Sequence, residues 1–275
     1  MACNHNMTIK FIVLYTTTLI ISLIFAPPVF PEYNLATGEE ENLFISKQKE
    51  INMGKSISKQ VEKKYDADAN YSNQEKIDLI GQKLAEVSDR KGLIYRFMVL
   101  DEEDVENAFA LPGGYVYIFK ALFEKLKDDE IAAILAHEIG HIAARHSIKR
   151  LQSGLGYQIL QVLVIAGAKD SYTRRKASLA LGHLMLANSR EHELEADALA
   201  VKYLEKAGYD PEAMLRVINK LIKWQMKHRT TPKRYWYTHP YLSARRAAVN
   251  KELKGQLSFD DYVNVPDEES YVIPY

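Results

Sequence analysis

The sequence predicts an α+β fold that is mostly helical and contains a small β-sheet. Two early segments, residues 41–64 and 77–87, place apolar residues among Lys and Glu at roughly helical spacing. The best strand patterns lie in residues 93–100 and in the run from Tyr115 to Phe119, which follows the turn-forming Pro112-Gly113-Gly114. We therefore expect helices to dominate and a small sheet to lie in the middle of the chain.

The C-terminal half of the chain is predicted to be helical. A long helix begins at Asp128-Asp129-Glu130 and ends in basic Lys149-Arg150, a charge order that suits the helix dipole. The very apolar run at residues 158–168 spans 11 residues, too short to cross a bilayer, so we expect a buried or lid helix there. The remaining predicted helices cover residues 177–203, 210–224 and 239–253.

Composition and charge exclude several classes of protein. The chain has 275 residues with 36 basic and 36 acidic side chains, so nucleic-acid binding loses its usual electrostatic footprint. A hydrophobic fraction of 47% with 26% charged residues excludes disordered and fibrous proteins. The single cysteine, Cys3, lies in the N-terminal segment, which leaves the folded part without a thiol for a disulfide, a cysteine nucleophile or a cysteine-zinc site.

Residues 1–28 are predicted to be a signal peptide or an N-terminal membrane anchor. Lys10 precedes an uncharged run of 15 residues from Phe11 to Phe25, and glutamates follow it, as expected if the N-terminus stays in the cytoplasm. The cleavage site at Ala26 is weak, so the segment could be a cleaved signal peptide or an uncleaved anchor. A buried N-terminal helix is the less favoured alternative. Residues 29–275 are predicted to form one exported domain, with a tether to about Thr37, a core at 40–254 and a tail at 255–275.

The long helix contains the pattern HExxH. His137 and His141 are four residues apart and share one helix face, so both imidazoles can bind one zinc ion. Glu138 lies next to that face, from which its carboxylate can take a proton from a water that the metal acidifies. The sequence therefore predicts two zinc ligands and a catalytic base. The competing interpretation is two unrelated histidines on an amphipathic helix.

A catalytic zinc needs a third protein ligand, and the segment from Asn188 to Asp197 offers candidates. Glu193 and Asp197 are four residues apart, so if Glu193 binds zinc, Asp197 can orient a ligand histidine through its second nitrogen. Spacing alone leaves three rivals for the ligand position: Glu191, His192 and Glu195.

Four segments of the sequence carry a family resemblance: in chain order, NAFALPGGYVYIF, HEIGH, SREHELEAD and THPYLSAR. Together they resemble the CAAX prenyl protease and HtpX-like family of zinc metallopeptidases, over about residues 41–254. It implies a zincin-like core in which an edge strand borders the active-site helix, and one zinc ion per chain. It also implies Glu193 as the third ligand, Asp197 as its partner in the ExxAD motif, and roles for His239 and Arg245.

His239 and Arg245 are predicted to act on the reaction itself. Arg245 is expected to stabilise the oxyanion of the tetrahedral intermediate. His239 is expected either to donate to that oxyanion or to cap the open position of the zinc in a resting state. The alternatives are a helix N-cap for His239 and a surface ion pair for Arg245. The other histidines are predicted to be structural or exposed: His146, His183, His192 and His228.

The substrate is predicted to bind along the strand from Tyr115 to Phe119. An exposed edge strand beside the zinc could add an extended peptide through backbone hydrogen bonds, which favours unfolded or flexible polypeptides. The alternative is an internal strand after a turn. The predicted substrate-binding residues are Gly113, Gly114, Tyr115, Val116 and Tyr117.

The predicted function is a zinc-dependent endopeptidase that cleaves unfolded or misassembled polypeptides in the periplasm or cell envelope. This envelope role in protein quality control is what the resemblance to compact, exported family members implies. If the leader is not cleaved, we expect membrane association through residues 11–25. The alternative is a chaperone or assembly factor that binds unfolded envelope proteins with little proteolysis. A zinc-stabilised structural protein fits less well, because structural sites usually have four protein ligands, commonly including cysteine.

Overall fold

The computed structural model describes residues 30–43, 45–152, 186–227 and 234–255. This part is α+β and mostly helical, as predicted. The predicted leader, the apolar run at 158–168, His183, His228 and the tail beyond residue 255 lie outside the described residues. The strands are β1 (Phe30–Asn34), β2 (Glu39–Leu43), β3 (Arg96–Leu100), β4 (Ala108–Leu111) and β5 (Tyr115–Phe119).

Helices make up most of the remaining described structure. The N-terminal ones are α1 (Lys47–Lys64), α2 (Tyr71–Val87), α3 (Lys120–Phe123), α4 (Asp128–Ala143) and α5 (His146–Gln152). The C-terminal ones are α6 (Arg190–Ala207), α7 (Glu212–Lys227), α8 (Tyr235–Thr238) and α9 (Leu242–Lys254). Among these residues, no helix combines the length and the apolar character that crossing a membrane requires.

Strands β3, β5 and β4 form the sheet beside the central helix α4, in that order. Strand β5 is parallel to β3, with Tyr115 opposite Arg96, and antiparallel to β4, with Tyr115 opposite Leu111. All five residues of β5 are buried. The strand that borders α4 at the edge of the sheet is β4.

The prediction that Tyr115, Val116 and Tyr117 form an exposed edge strand is wrong. Strand β5 has a hydrogen-bonded neighbour on each side, so no substrate strand can be added to it. Its unbroken apolar run is typical of a strand covered on both faces. Gly113 and Gly114 form the tight turn before it with φ of 80° and 99°. At Gly114 a Cβ would lie 2.7 Å from the Ile94 carbonyl oxygen, so this turn serves chain packing.

The N-terminal part of the domain is a hairpin where the sequence predicted a tether and the start of a helix. Strands β1 and β2 pair antiparallel, with Phe30 opposite Leu43, and α1 begins only at Lys47. The Asn34 side-chain amide donates to the Ala143 carbonyl at 3.1 Å, which joins the hairpin to the end of α4. A glutamate-rich strand of this kind depends on its pairing and docking, which local sequence patterns do not reveal.

Three predicted helix boundaries are also wrong. Helix α4 ends at Ala143, because Arg145 takes a left-handed conformation with φ of 59° before α5 begins. Residues 186–189 are not helical, and Ser189 caps α6 by accepting from the His192 amide at 3.3 Å. Helix α9 begins at Leu242, after His239-Pro240, because Tyr241 has a left-handed φ of 62°.

Helices α4 and α6 pack closely because α4 has a glycine where they meet. A Cβ on Gly140 would lie 2.9 Å from the Ala196 carbonyl oxygen and 3.2 Å from its Cα. Both contacts are with backbone, which cannot move away as a flexible side chain would. The absence of a side chain at Gly140 therefore sets the distance between these two helices.

We expect Gly140→Ala to lower the free energy of unfolding by about 1–3 kcal/mol, because the added methyl forces α4 and α6 apart. Urea unfolding of the metal-free protein measures this effect. Ala198→Val, which adds bulk to the exposed face of α6, is the control and should change stability little. Equal stability of Gly140→Ala and the wild type would contradict the packing argument.

Candidate metal centre

Four buried side chains from three parts of the fold meet beside the edge strand. Helix α4 supplies His137 and His141, α6 supplies Glu193, and the connection between α8 and α9 supplies His239. Their nearest ring-nitrogen or carboxylate atoms all lie within 4.8 Å of one another. The His137 and His141 Nε2 atoms are 3.0 Å apart, and Glu193 Oε1 is 3.3 Å from His141 Nε2 and 3.1 Å from His239 Nδ1.

These distances and atom types fit a zinc ion. Tetrahedral zinc with bonds of about 2.0–2.1 Å separates neighbouring ligand atoms by about 3.3–3.4 Å. Four of the distances among these side chains lie between 3.0 and 3.3 Å, close to that value. Imidazole with carboxylate is a donor set that zinc accepts. Two ring nitrogens that face each other at 3.0 Å can share at most one proton, so a cation between them relieves their repulsion.

Asp197 and Arg245 lie behind the ligand atoms. Asp197 Oδ1 is 2.8 Å from His137 Nδ1, the nitrogen on the side away from the cluster. Arg245 donates from Nε and Nη2 to the two Asp197 oxygens, both at 2.8 Å, and its Nη1 lies 2.8 Å from Glu193 Oε2. This arrangement fixes the ring of His137 and compensates two buried carboxylates with one guanidinium.

The predicted role of Arg245 as an oxyanion donor is not what this geometry provides. Its side chain is fully buried, and the guanidinium contacts Asp197, Glu193 and the His239 carbonyl oxygen, the last at 3.2 Å. It therefore acts on the ligands from behind. The sequence showed a cation six residues after His239, but it did not show which side of the cluster that cation would reach.

The charges of the two buried carboxylates follow from these contacts. Burial raises the pKa of Asp197, but the Arg245 and His137 charges outweigh it and lower that pKa below its usual range. Burial also raises the pKa of Glu193, but His239 and Arg245 outweigh this effect and hold that pKa well below its usual value. Both side chains are therefore anions, as zinc ligation and histidine orientation require.

Glu138 lies buried beside the cluster and is held by a tyrosine. The Tyr235 hydroxyl donates to Glu138 Oε1 at 3.0 Å, and His239 Nε2 lies 3.4 Å from the same oxygen. The Tyr235 ring stacks on the His239 ring with centroids 4.1 Å apart and an interplanar angle of 17°. Tyr235 thus contacts both the predicted base and the fourth side chain of the cluster.

Sequence reasoning missed Tyr235 and also Asn188. The Asn188 amide donates to Glu193 Oε1 at 2.6 Å and lies 3.4 Å from His141 Nε2 and His239 Nδ1. Asn188 lies five residues before Glu193 in the sequence, and Tyr235 lies four residues before His239. This closeness in sequence to a predicted site residue was the one signal that pointed to either of them. It was too weak to assign either residue.

Only one of the candidates for the third ligand position lies in the cluster. Glu193 is fully buried there, whereas Glu191 is exposed at the start of α6. His192 stacks on His146 with ring centroids 4.1 Å apart, and Glu195 lies 2.8 Å from His146 Nε2. The fold thus separates Glu193 from the other three candidates, because only Glu193 lies on the face of α6 that meets the cluster.

A buried HExxH helix whose two histidines meet a glutamate from a second helix defines a metallopeptidase type of site. Comparison with known families gives the same class in finer detail. The model of peptidase family M48 matches residues 71–253, and the chain belongs to that family.

Several characterised proteins are similar to this chain. Mitochondrial metalloendopeptidase OMA1 of Arabidopsis thaliana is 34% identical over 140 residues, which are 50% of this chain and 28% of that protein. The beta-barrel assembly-enhancing protease of Escherichia coli (strain K12) is 27% identical over 184 residues, or 62% of this chain and 37% of that protein. OMA1 of Saccharomyces cerevisiae is 29% identical over 160 residues, or 57% and 46%. The chain spans less than half the length of each.

We expect Arg245→Lys to destabilise the metal-free protein by about 2–3 kcal/mol, because one ammonium cannot bond both Asp197 oxygens and reach Glu193. Urea unfolding measures the loss, and Arg190→Lys, at an exposed arginine, is the control. Unchanged stability with a loss of turnover alone would favour the oxyanion role over the positioning role.

Proposed function

We propose that this chain is a zinc-dependent endopeptidase. The observation that carries the proposal is the position of Glu138, which lies within contact distance of His239 beside a cluster whose ligand atoms are within 4.8 Å of one another. Membership of peptidase family M48 supports the same conclusion. In this proposal His137, His141 and Glu193 hold the zinc ion, and Asp197 orients His137.

The chemistry divides between the metal and the side chains of this chain. When bound, zinc supplies a Lewis acid that polarises the substrate carbonyl and makes water easier to deprotonate. Glu138 is the general base that takes a proton from the attacking water and later gives it to the leaving amine. The Tyr235 hydroxyl holds the Glu138 carboxylate in place, which lowers the entropy cost of reaching a reactive geometry.

In this proposal His239 holds the site in a resting state. With His239 the cluster has four protein side chains, which is the number found in closed zinc sites, whereas catalytic sites keep one position open. Turnover then requires His239 to move away. The same observation favours the alternative, a chaperone or assembly factor, because a protein whose zinc site stays closed could bind polypeptides without cleaving them.

We propose unfolded or misassembled polypeptides of the periplasm or cell envelope as substrates, and no role for nucleic acid. Strand β4 has a sheet neighbour on one side only within the described structure, and its Phe109 and Ala110 line the cleft beside Glu138 and His239. An extended peptide could pair with such an edge. The name of the Escherichia coli relative refers to β-barrel assembly, which supports an envelope location.

We further propose that residues 1–28 direct export, as a signal peptide or as a membrane anchor. The uncharged run from Phe11 to Phe25 has the length of a signal-peptide core, and the basic residue Lys10 precedes it.

We expect Glu138→Gln to retain zinc and to lose at least about 100-fold in kcat, because the amide cannot accept the proton. Residues 29–275 of both forms are assayed for bound zinc and for cleavage of an unfolded protein under identical conditions. Turnover in Glu138→Gln equal to that of the wild type would rule out this base. Zinc in both forms with turnover in neither would support the chaperone.

We expect His239→Ala to retain zinc on three side chains and to raise kcat/KM by the inverse of the fraction of molecules in which His239 is displaced. Metal content and cleavage rates of this variant are measured beside those of the wild type. A fall in kcat with zinc retained would instead support His239 as a donor to the reaction intermediate.

A further inference from the structure

His146 and Glu195 form a hydrogen-bonded chain behind the second histidine of the HExxH pattern. His146 Nδ1 lies 2.7 Å from His141 Nδ1, and His146 Nε2 lies 2.8 Å from Glu195 Oε2. His146 is fully buried at the first position of α5, whereas the Glu195 side chain is 33% exposed. The chain therefore runs from the metal cluster to the surface of α6.

The protons of this chain can be placed by elimination. His141 directs Nε2 at the cluster, 3.3 Å from Glu193 Oε1, so a metal-binding His141 carries its proton on Nδ1. That proton can be donated only if His146 Nδ1 is an acceptor, which places the His146 proton on Nε2. The Nε2–H then donates to the Glu195 carboxylate. One set of tautomers thus satisfies both hydrogen bonds and leaves His141 ready to bind metal.

We infer that Glu195, acting through His146, fixes the orientation and tautomer of His141 and thereby raises the affinity of the site for zinc. The two ligand histidines then receive equivalent support from one helix. Asp197 contacts His137 directly, and Glu195 reaches His141 through one intervening imidazole. His146 and Glu195 are positioning residues, and the inference rests on the proposed zinc-dependent function.

The test is the dissociation constant of the full chain for zinc, measured by competition with a chromogenic chelator. We expect His146→Gln to weaken zinc binding about 10- to 100-fold and Glu195→Gln about 10-fold, as is typical when the partner of a ligand histidine is removed. Because both variants break the same chain, the double variant should bind no more weakly than His146→Gln alone. Glu191→Gln, an exposed residue of the same helix, should bind like the wild type.

A structural role alone would give a different pattern. It would lower the free energy of unfolding of the metal-free variants but leave the zinc dissociation constant of the folded fraction unchanged, and that result would overturn the inference. If His146→Gln does not fold, the partly exposed Glu195→Gln decides alone, and unchanged zinc affinity in it overturns the inference. Wild-type protein that binds no zinc would overturn the proposed function as well, so the two failures are distinguishable.

Discussion

The site depends on the close approach of α4 and α6 at Gly140. Because a Cβ there would lie 2.9 Å from the Ala196 carbonyl oxygen, only glycine lets the two backbones come this near. At this distance the imidazoles of α4 reach the carboxylates of α6. The metal ligation proposed for Glu193 and the carboxylate support inferred for both histidines therefore depend on one helix–helix contact. The position of each carboxylate around α6 decides which histidine it reaches.

Bringing these carboxylates together creates a charge problem that the rest of the fold must solve. Glu193 and Asp197 are both fully buried, and isolated buried anions are strongly unfavourable. Arg245 compensates both with a single guanidinium from α9, so the C-terminal helix is required even though it supplies no metal ligand. In the described part of the chain, Arg245 is the one permanent cation facing these two carboxylates, so negative charge remains once the histidines are neutral, as metal ligands must be. This charge favours the binding of a divalent metal.

The sequence could predict what is local and could not predict what depends on orientation between distant segments. The four-residue spacing of His137 and His141 is a property of one helix, and the structure places both in the cluster. The exposure of Tyr115 depends on strand order, and the side on which Arg245 acts depends on how α9 packs. The sequence predicts only that His146 is structural or exposed, and it does not reveal the contact of His146 with Glu195, which is 49 residues away in sequence.

Tyr235 connects the proposed base to the proposed cap. It is buried, its hydroxyl donates to Glu138, and its ring stacks on His239 four residues later in the chain. The His239 ring can leave the cluster by itself only if it loses that stack. If the stack is kept, Tyr235 and its helix α8 must move with His239, and the hydroxyl then leaves Glu138. In the proposed resting state, the position of the cap and the position of the base are therefore linked through Tyr235.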